Sequence, residues 1–187
     1  MYKLLPQRKP LRLPGYNYAQ NGAYFITICT KNRACLFGDV THGEMVLNDA
    51  GHIIETEWPR TSVLRNDVML DEFIIMPNHV HMIVLLSVGG DCIAPSTITT
   101  NPNPDGTMQS SPTTSNISYI IRGFKSATTK TINLHDQTSG TPVWQRGYHD
   151  HIIRNEADLN RIRQYIVNNP LQWHLDENNP EKVSIHV

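Results

Sequence analysis

Three things are scarce in this 187-residue chain, and each scarcity closes off a class of protein. Cysteine occurs three times, at Cys29, Cys35 and Cys92, and never as C-x-x-C. An odd number cannot pair completely within one chain, so the pattern disfavours a disulfide scaffold or a zinc ribbon and makes a reducing cytoplasm the expected setting. Long apolar runs are missing as well. No stretch approaches the ~20 residues of a membrane-spanning helix, so no membrane partner is expected, and the start, MYKLLPQRKPLRLPG, lacks the apolar core of a signal peptide. Net charge is almost absent: 16 Lys and Arg face 17 Asp and Glu, a formal −1 that speaks against coating nucleic acid by bulk attraction.

The balance hides a strong segregation. Residues 1–33 carry six bases and no acid, residues 34–72 carry eight acids and two arginines, and residues 116–165 carry seven bases and four acids. A basic arm and a basic C-terminal third leave room for local phosphate contacts that the total conceals.

Length favours one domain, 1–187, large enough to bury a core unaided. The Pro-, Arg- and Tyr-rich arm 1–20 reads as extended chain. GAYFITICT (22–30) alternates and is rich in β-branched and aromatic residues, which predicts a strand. Residues 34–47 suggest a small hairpin turning at Gly38-Asp39 or His42-Gly43. Asn48 is placed to cap a helix bearing Ala50, Ile53, Ile54 and Trp58, with Pro59 as its expected end. VMLDEFIIM and HVHMIVLL read as two strands joined by Pro77-Asn78, a tight-turn pair. From Ser87 to Ser115, 20 of 29 residues are Ser, Thr, Pro, Gly or Asn, and none is aromatic or basic. Such a segment cannot offset its own ordering entropy and is expected to be a flexible insertion.

Asn116 then opens a helix whose buried face is Ile117, Ile120, Ile121, Phe124, Thr128 and Ile132, with Arg122, Lys125 and Lys130 off it. Residues 142–154 (PVWQRGYHDHIIR) look strand-like. Asn155 caps a last helix with Leu159, Ile162 and Ile166 as its apolar face, stopped by Pro170. Without the small hairpin the order is β-α-β-β-α-β plus a helix. The expected fold class is α+β: a ferredoxin-like antiparallel sheet with helices on one face and a further C-terminal helix.

The sharpest chemical feature is His79-Val80-His81. Residues two apart on a strand share a face, so both imidazoles point one way and can share a divalent cation, or simply sit on a solvated face. A zinc enzyme would want a third strong ligand nearby and often a general-base Glu, and neither stands beside the pair. Tyr165 and Asn169, four apart, share one helical face. A phenol attacks phosphorus once its proton leaves, although a pKa of ~10 calls for help from a metal or a base. An amide oxygen suits a hard cation. Tyr165 is equally an ordinary residue of an amphipathic helix, and Tyr148, beside Arg146, competes with it as nucleophile.

The runs MPNHVHMIV, ISYIIRGFKS and VWQRGYHDHIIRNEADLNRIRQYIVNNP, in that order, resemble the bacterial single-strand transposases with an HUH motif (U, a bulky apolar residue), and most closely their REP-associated tyrosine transposase branch. LPGYNYAQNGAYFITICTKNRACLFG and EMVLNDAG share that character, so the resemblance runs from about Leu11 to Trp173 around the insertion. It implies that His79 and His81 bind metal, that Asn169 completes the site with Mg²⁺ or Mn²⁺, and that Tyr165 is the nucleophile. Tyr148, on the preceding strand, is thereby demoted. All three protein ligands would be neutral, leaving the cation's charge for the phosphate. The implied activity is cleavage and rejoining of single-stranded DNA near a hairpin, REP-like or from an element end, through a 5′-phosphotyrosine.

In that setting Arg8, Lys9, Arg12, Lys125 and Lys130 would face DNA backbone, and Tyr16 or Tyr18 would stack on an unpaired base. The implied location is the cytoplasm, at the nucleoid when bound to DNA. Both monomer and homodimer remain open. The principal rival keeps the fold without the chemistry, as a regulatory DNA-hairpin-binding protein. An RNA-binding module is weaker, because HVHMIVLL carries no aromatic residue for base stacking; so is a metal hydrolase without nucleic-acid specificity.

Overall fold

Strand periodicity divides the sheet into two chemically distinct faces, and that division positions everything else. The computed structural model describes residues 15–87 and 116–182. Arg8, Lys9, Arg12, Cys92 and all but Ser87 of the expected insertion 87–115 lie outside the described residues.

The first strand, β1 (Gly22–Cys29), is followed by a hairpin of β2 (Gly38–Thr41) and β3 (Glu44–Leu47), the helix α1 (Asp49–Val63), and the long pair β4 (Val68–Met76) and β5 (His79–Leu86). Then come α2 (Ile117–His135), β6 (His149–Ile153) and α3 (Glu156–Asn168), the last continued by a 3₁₀ turn over Pro170–Leu175. The four long strands form one sheet in the order β4-β5-β1-β6, with every neighbouring pair antiparallel. This is the ferredoxin-like arrangement expected from the sequence. The hairpin turns at His42-Gly43, where both residues have positive φ.

On one face, Tyr24, Ile26 and Ile28 of β1 and Val80, Met82, Val84 and Leu86 of β5 pack against Ile54 and Trp58 of α1 and Ile117, Ile120, Ile121 and Phe124 of α2. On the other, Ala23, Phe25, Ile83 and Leu85 meet Leu159, Ile162 and Ile166 of α3. Each such aliphatic side chain contributes about 1.5–3 kcal/mol when fully buried. The helix face expected for α2, including Thr128 and Ile132, is the buried one. Because both sides of β5 are covered, all eight of its residues are buried, His79 and His81 included.

Two expectations need correction. Pro59 does not end α1 but lies inside it. Its missing N–H costs one bond to the Glu55 carbonyl, yet Trp58 and Thr61 are buried on the core side and Leu64 N donates to Arg60 O, so the last turn persists. In 142–154, only His149–Ile153 is strand; upstream, Trp144 makes an isolated bridge with Thr30, and Lys31 N and Gln145 N bond across the same gap to Val143 O and Cys29 O. Gly147, at φ 84°, turns the chain just before β6.

Candidate active site

Alternation along β1 and β5 puts Phe25, Thr27, His79 and His81 on the face that α3 covers, with Thr27 opposite His81 and Cys29 opposite His79. The two imidazoles meet there, Nε2 of His79 lying 3.1 Å from Nε2 of His81. Each ring is oriented through its other nitrogen. Asn78 donates its Nδ2 hydrogens to the carbonyls of Arg33 and Asn178, so the atom it turns to His79 Nδ1, at 2.9 Å, is the accepting Oδ1. His79 Nδ1 therefore carries the proton, and Nε2 is left with its lone pair. Thr27 Oγ1 lies 2.8 Å from Nδ1 of His81 and fixes the orientation of that ring; a hydroxyl serves either tautomer, donating to Nδ1 or accepting from it.

Burial holds His79 down to about 3, helped by the charge of Arg33, and holds His81 well below the usual histidine range. Both are neutral imidazoles at ordinary pH, the form that ligates metal.

Two oxygen donors come from α3 and the turn after it. Asn169, which caps α3, is almost fully buried, and its Oδ1 has no hydrogen-bond partner among the described residues. Its Nδ2 donates to Asp176 Oδ2 at 3.4 Å, and that same oxygen lies 3.9 Å from His79 Nε2. Asp176 is itself fixed by the amide of Asn178. Ligand atoms of His79, His81 and Asp176 all fall within 4.8 Å of one another. Two imidazole nitrogens 3.1 Å apart repel unless a proton or a cation lies between them, and a buried amide oxygen without a partner is costly. A divalent cation would satisfy all of these atoms together, so this cluster could hold one. Its donors differ from the all-neutral set expected from the sequence, because Asp176 brings a carboxylate.

Tyr165 stands on α3 one turn before Asn169. Its hydroxyl lies 3.4 Å from His81 Nε2, and its ring makes edge contacts with Phe25 and His81. Burial and then the Asp176 carboxylate raise its pKa, partly offset by a hydrogen bond from Asn169. The residue remains 41% exposed, along a cleft of about 500 Å³ bounded by Phe25, His81, His149, His151, Arg161 and Arg33.

The structure thus brings Tyr165, His79, His81 and Asn169 together within one chain. Tyr148 is elsewhere: it is buried in the core beneath α1 and α2, on the far side of the sheet, with its hydroxyl 3.3 Å from Ser118 Oγ.

The expected DNA-facing residues among those described fare differently. Lys125 spends its charge inside the fold, donating to the carbonyls of Gln145 and Gly147 at 2.7 and 2.9 Å, and burial lowers its pKa. Tyr16 packs edge-on against Tyr18, their centroids 5.0 Å apart, and against Tyr24, while Tyr18 lies tilted on Tyr24. They belong to the α1/α2 core rather than to a stacking platform. Lys130 is exposed, but on α2, across the sheet from the cleft. Sequence reasoning missed Thr27, Asn78 and Asp176. Asn78 was legible only as a turn residue, and Asp176 lies in an ordinary polar tail, LDENNP, seven residues beyond Asn169.

A solved structure of a REP-associated tyrosine transposase bound to a REP hairpin superposes with a TM-score of 0.56 at 19% identity, covering 87% of this chain and 74% of that one. The chain has the tyrosine transposase fold. No protein-family model matches it. It belongs to one family with an uncharacterized protein of Haemophilus influenzae, 39% identical over 173 residues that span 91% of this chain and 92% of that one. Within the transposase fold, the face under α3 is where His79, His81, Asn169 and Tyr165 converge. No described helix is long and apolar enough to cross a membrane.

Proposed function

We propose that the protein is a metal-dependent tyrosine transposase that cuts and rejoins single-stranded DNA beside a hairpin. The observation that carries this reading is the Tyr165 hydroxyl 3.4 Å from His81 Nε2, at the mouth of a buried His-His-Asp-Asn cluster. Hairpin DNA as partner rests on the like-folded relative, which was solved with a REP hairpin.

Tyr165 attacks phosphorus in line: its oxygen forms the new P–O bond while the bond to the 3′-oxygen breaks, giving a 5′-phosphotyrosine and a free 3′-hydroxyl. The phenolic proton leaves through the open cleft and the departing oxygen takes one up. A second 3′-hydroxyl reverses the step and needs no ATP, because the phosphoester bond is conserved. The chain alone makes the phenol a reluctant nucleophile, since burial and Asp176 both disfavour its anion. His79, His81, Asp176 and Asn169 would hold Mg²⁺ or Mn²⁺, which when bound supplies the positive charge that polarises the phosphate and favours the phenolate. Thr27 and Asn78 keep the imidazoles oriented. Tyr165 and its histidines lie in one chain, so the site needs no second copy to be complete.

The test is incubation with an end-labelled DNA hairpin carrying a single-stranded flank, with and without Mn²⁺, followed by a denaturing gel. A covalent protein–DNA band that depends on metal supports the reading. Binding without any adduct would instead favour the regulatory hairpin binder.

A further inference from the structure

The cleft beside Tyr165 extends a further helical turn toward the start of α3, and the side chains there take no part in the metal cluster. Arg161 precedes Tyr165 by four residues, so the two lie on one face of α3 about 6 Å apart along its axis. His151 reaches the same cleft from β6, where its residue pairs with Phe25 of β1. One carboxylate joins them: Asp158 Oδ2 accepts from His151 Nε2 at 2.8 Å, and Oδ1 accepts from Arg161 Nη2 at 2.5 Å. These two contacts hold Asp158 below the usual carboxylate range, that of His151 foremost.

An arginine three residues after an aspartate is an everyday helix-surface pair. That account leaves out His151, which comes from a different element and bonds the other oxygen of the same carboxylate. It also leaves out the placement of both basic groups in the cleft that holds Tyr165. Arg161 is largely exposed, and Asp158 is its one partner among the described residues, so its other guanidinium hydrogens are available.

We infer that Arg161, steadied by Asp158 and flanked by His151, is a second phosphate subsite that takes the phosphodiester next to the scissile one. A single strand lying along α3 spaces its phosphates by about the same step that separates Arg161 from Tyr165, so one phosphate at the tyrosine brings its neighbour to the guanidinium. A planar guanidinium suits this task because it bonds two phosphate oxygens at once. The subsite holds the strand in line for Tyr165, and in that sense rests on the function proposed above.

The experiment measures binding separately from cleavage. A labelled DNA hairpin with a single-stranded flank is prepared with one neutral methylphosphonate linkage at each flank position in turn. Affinity is read by fluorescence anisotropy over a range of salt. In the unaltered protein, neutralising one linkage beside the scissile position weakens binding. Arg161→Gln abolishes that one penalty, keeps the others, and lowers the salt slope by about one phosphate's share. Arg161→Lys restores the slope without the full affinity, and Arg60→Gln, on α1, behaves as the unaltered protein. Circular dichroism melts check that each variant is folded.

If Arg161→Gln keeps both the slope and the linkage penalty while adduct formation is normal, the subsite is overturned and the transposase reading stands. If no adduct forms but an Arg161-dependent penalty is found at one linkage, Arg161 is a phosphate contact of a hairpin binder, and the cleavage reading falls together with the subsite's part in it. If the unaltered protein does not bind the hairpin at all, both fall.

Discussion

The hydroxyl of Tyr165 faces Nε2 of His81 at 3.4 Å, a contact between residues 84 positions apart that only the packing of α3 on the sheet creates. Its direct consequence concerns the nucleophile. Tyr165→Phe should abolish the metal-dependent protein–DNA adduct on a denaturing gel, with the fold intact by circular dichroism. Tyr148→Phe should retain the adduct and lose about 1 kcal/mol of stability, the worth of one buried hydrogen bond. The reverse pattern would move the chemistry to the other side of the sheet.

Orientation of the imidazoles gives a second prediction. Thr27→Val and Asn78→Ala leave every proposed ligand in place, yet each should weaken Mn²⁺ binding by about 10–100-fold in isothermal titration. Asn78→Ala should also lower the melting temperature, because Asn78 ties the β4–β5 turn to the carbonyls of Arg33 and Asn178. Unchanged Mn²⁺ affinity in both variants would show that these contacts do not prepare the site.

Acid should destabilise the metal-free protein in a particular window. His79 is held down to about 3 and His81 well below its ordinary value, while in the unfolded chain both take up a proton near pH 6.5. Between those limits the unfolded state binds more protons, so stability rises with pH. The contribution is whole above about pH 6.5 and is lost as pH falls toward 3. In EDTA, urea midpoints should therefore drop between pH 7 and pH 4, and His79→Gln should flatten that slope. An equally steep slope in the variant would assign the effect to other groups.

The seating of α3 has its own anchor. β4 shifts register between Leu70 and Phe73, and Asp71 in that irregularity takes both Nε and Nη2 of Arg163. The pair lowers the Asp71 pKa, mainly through the hydrogen bonds from Arg163, and raises that of Arg163. Both side chains are mostly covered, so Arg163→Gln should cost about 1–2 kcal/mol, between the values for exposed and buried pairs. The Asp71 contribution is present above about pH 4 and fades below it, because its folded pKa is depressed. Hydrogen exchange in α3 should quicken in the variant before exchange in β5 does; equal rates in both would show that the pair does not seat the helix.

Local periodicity settled much of this protein. HVHMIVLL, read as a strand, already put both histidines on one face with Val80 on the other, since neighbouring side chains on a strand alternate by geometry alone. Asn48 and Asn155 were legible as helix caps because the capping oxygen lies within three residues of the amide it accepts from. The order of strands and helices restricted the sheet to few arrangements.

Whatever depended on partners distant in sequence was beyond that reach. Pro59 stays helical because of what Trp58 and Thr61 pack against. Lys125 looked free until the loop of Gln145 and Gly147 closed over it. Asp176 joins His79 across 97 positions, and no spacing rule links a carboxylate in a polar tail to a histidine on a central strand. The sequence by itself determined which residues had the chemistry for a site and which face each would occupy. Only the tertiary structure decided which of them meet, because that depends on how α3 and the turn after it settle on the sheet.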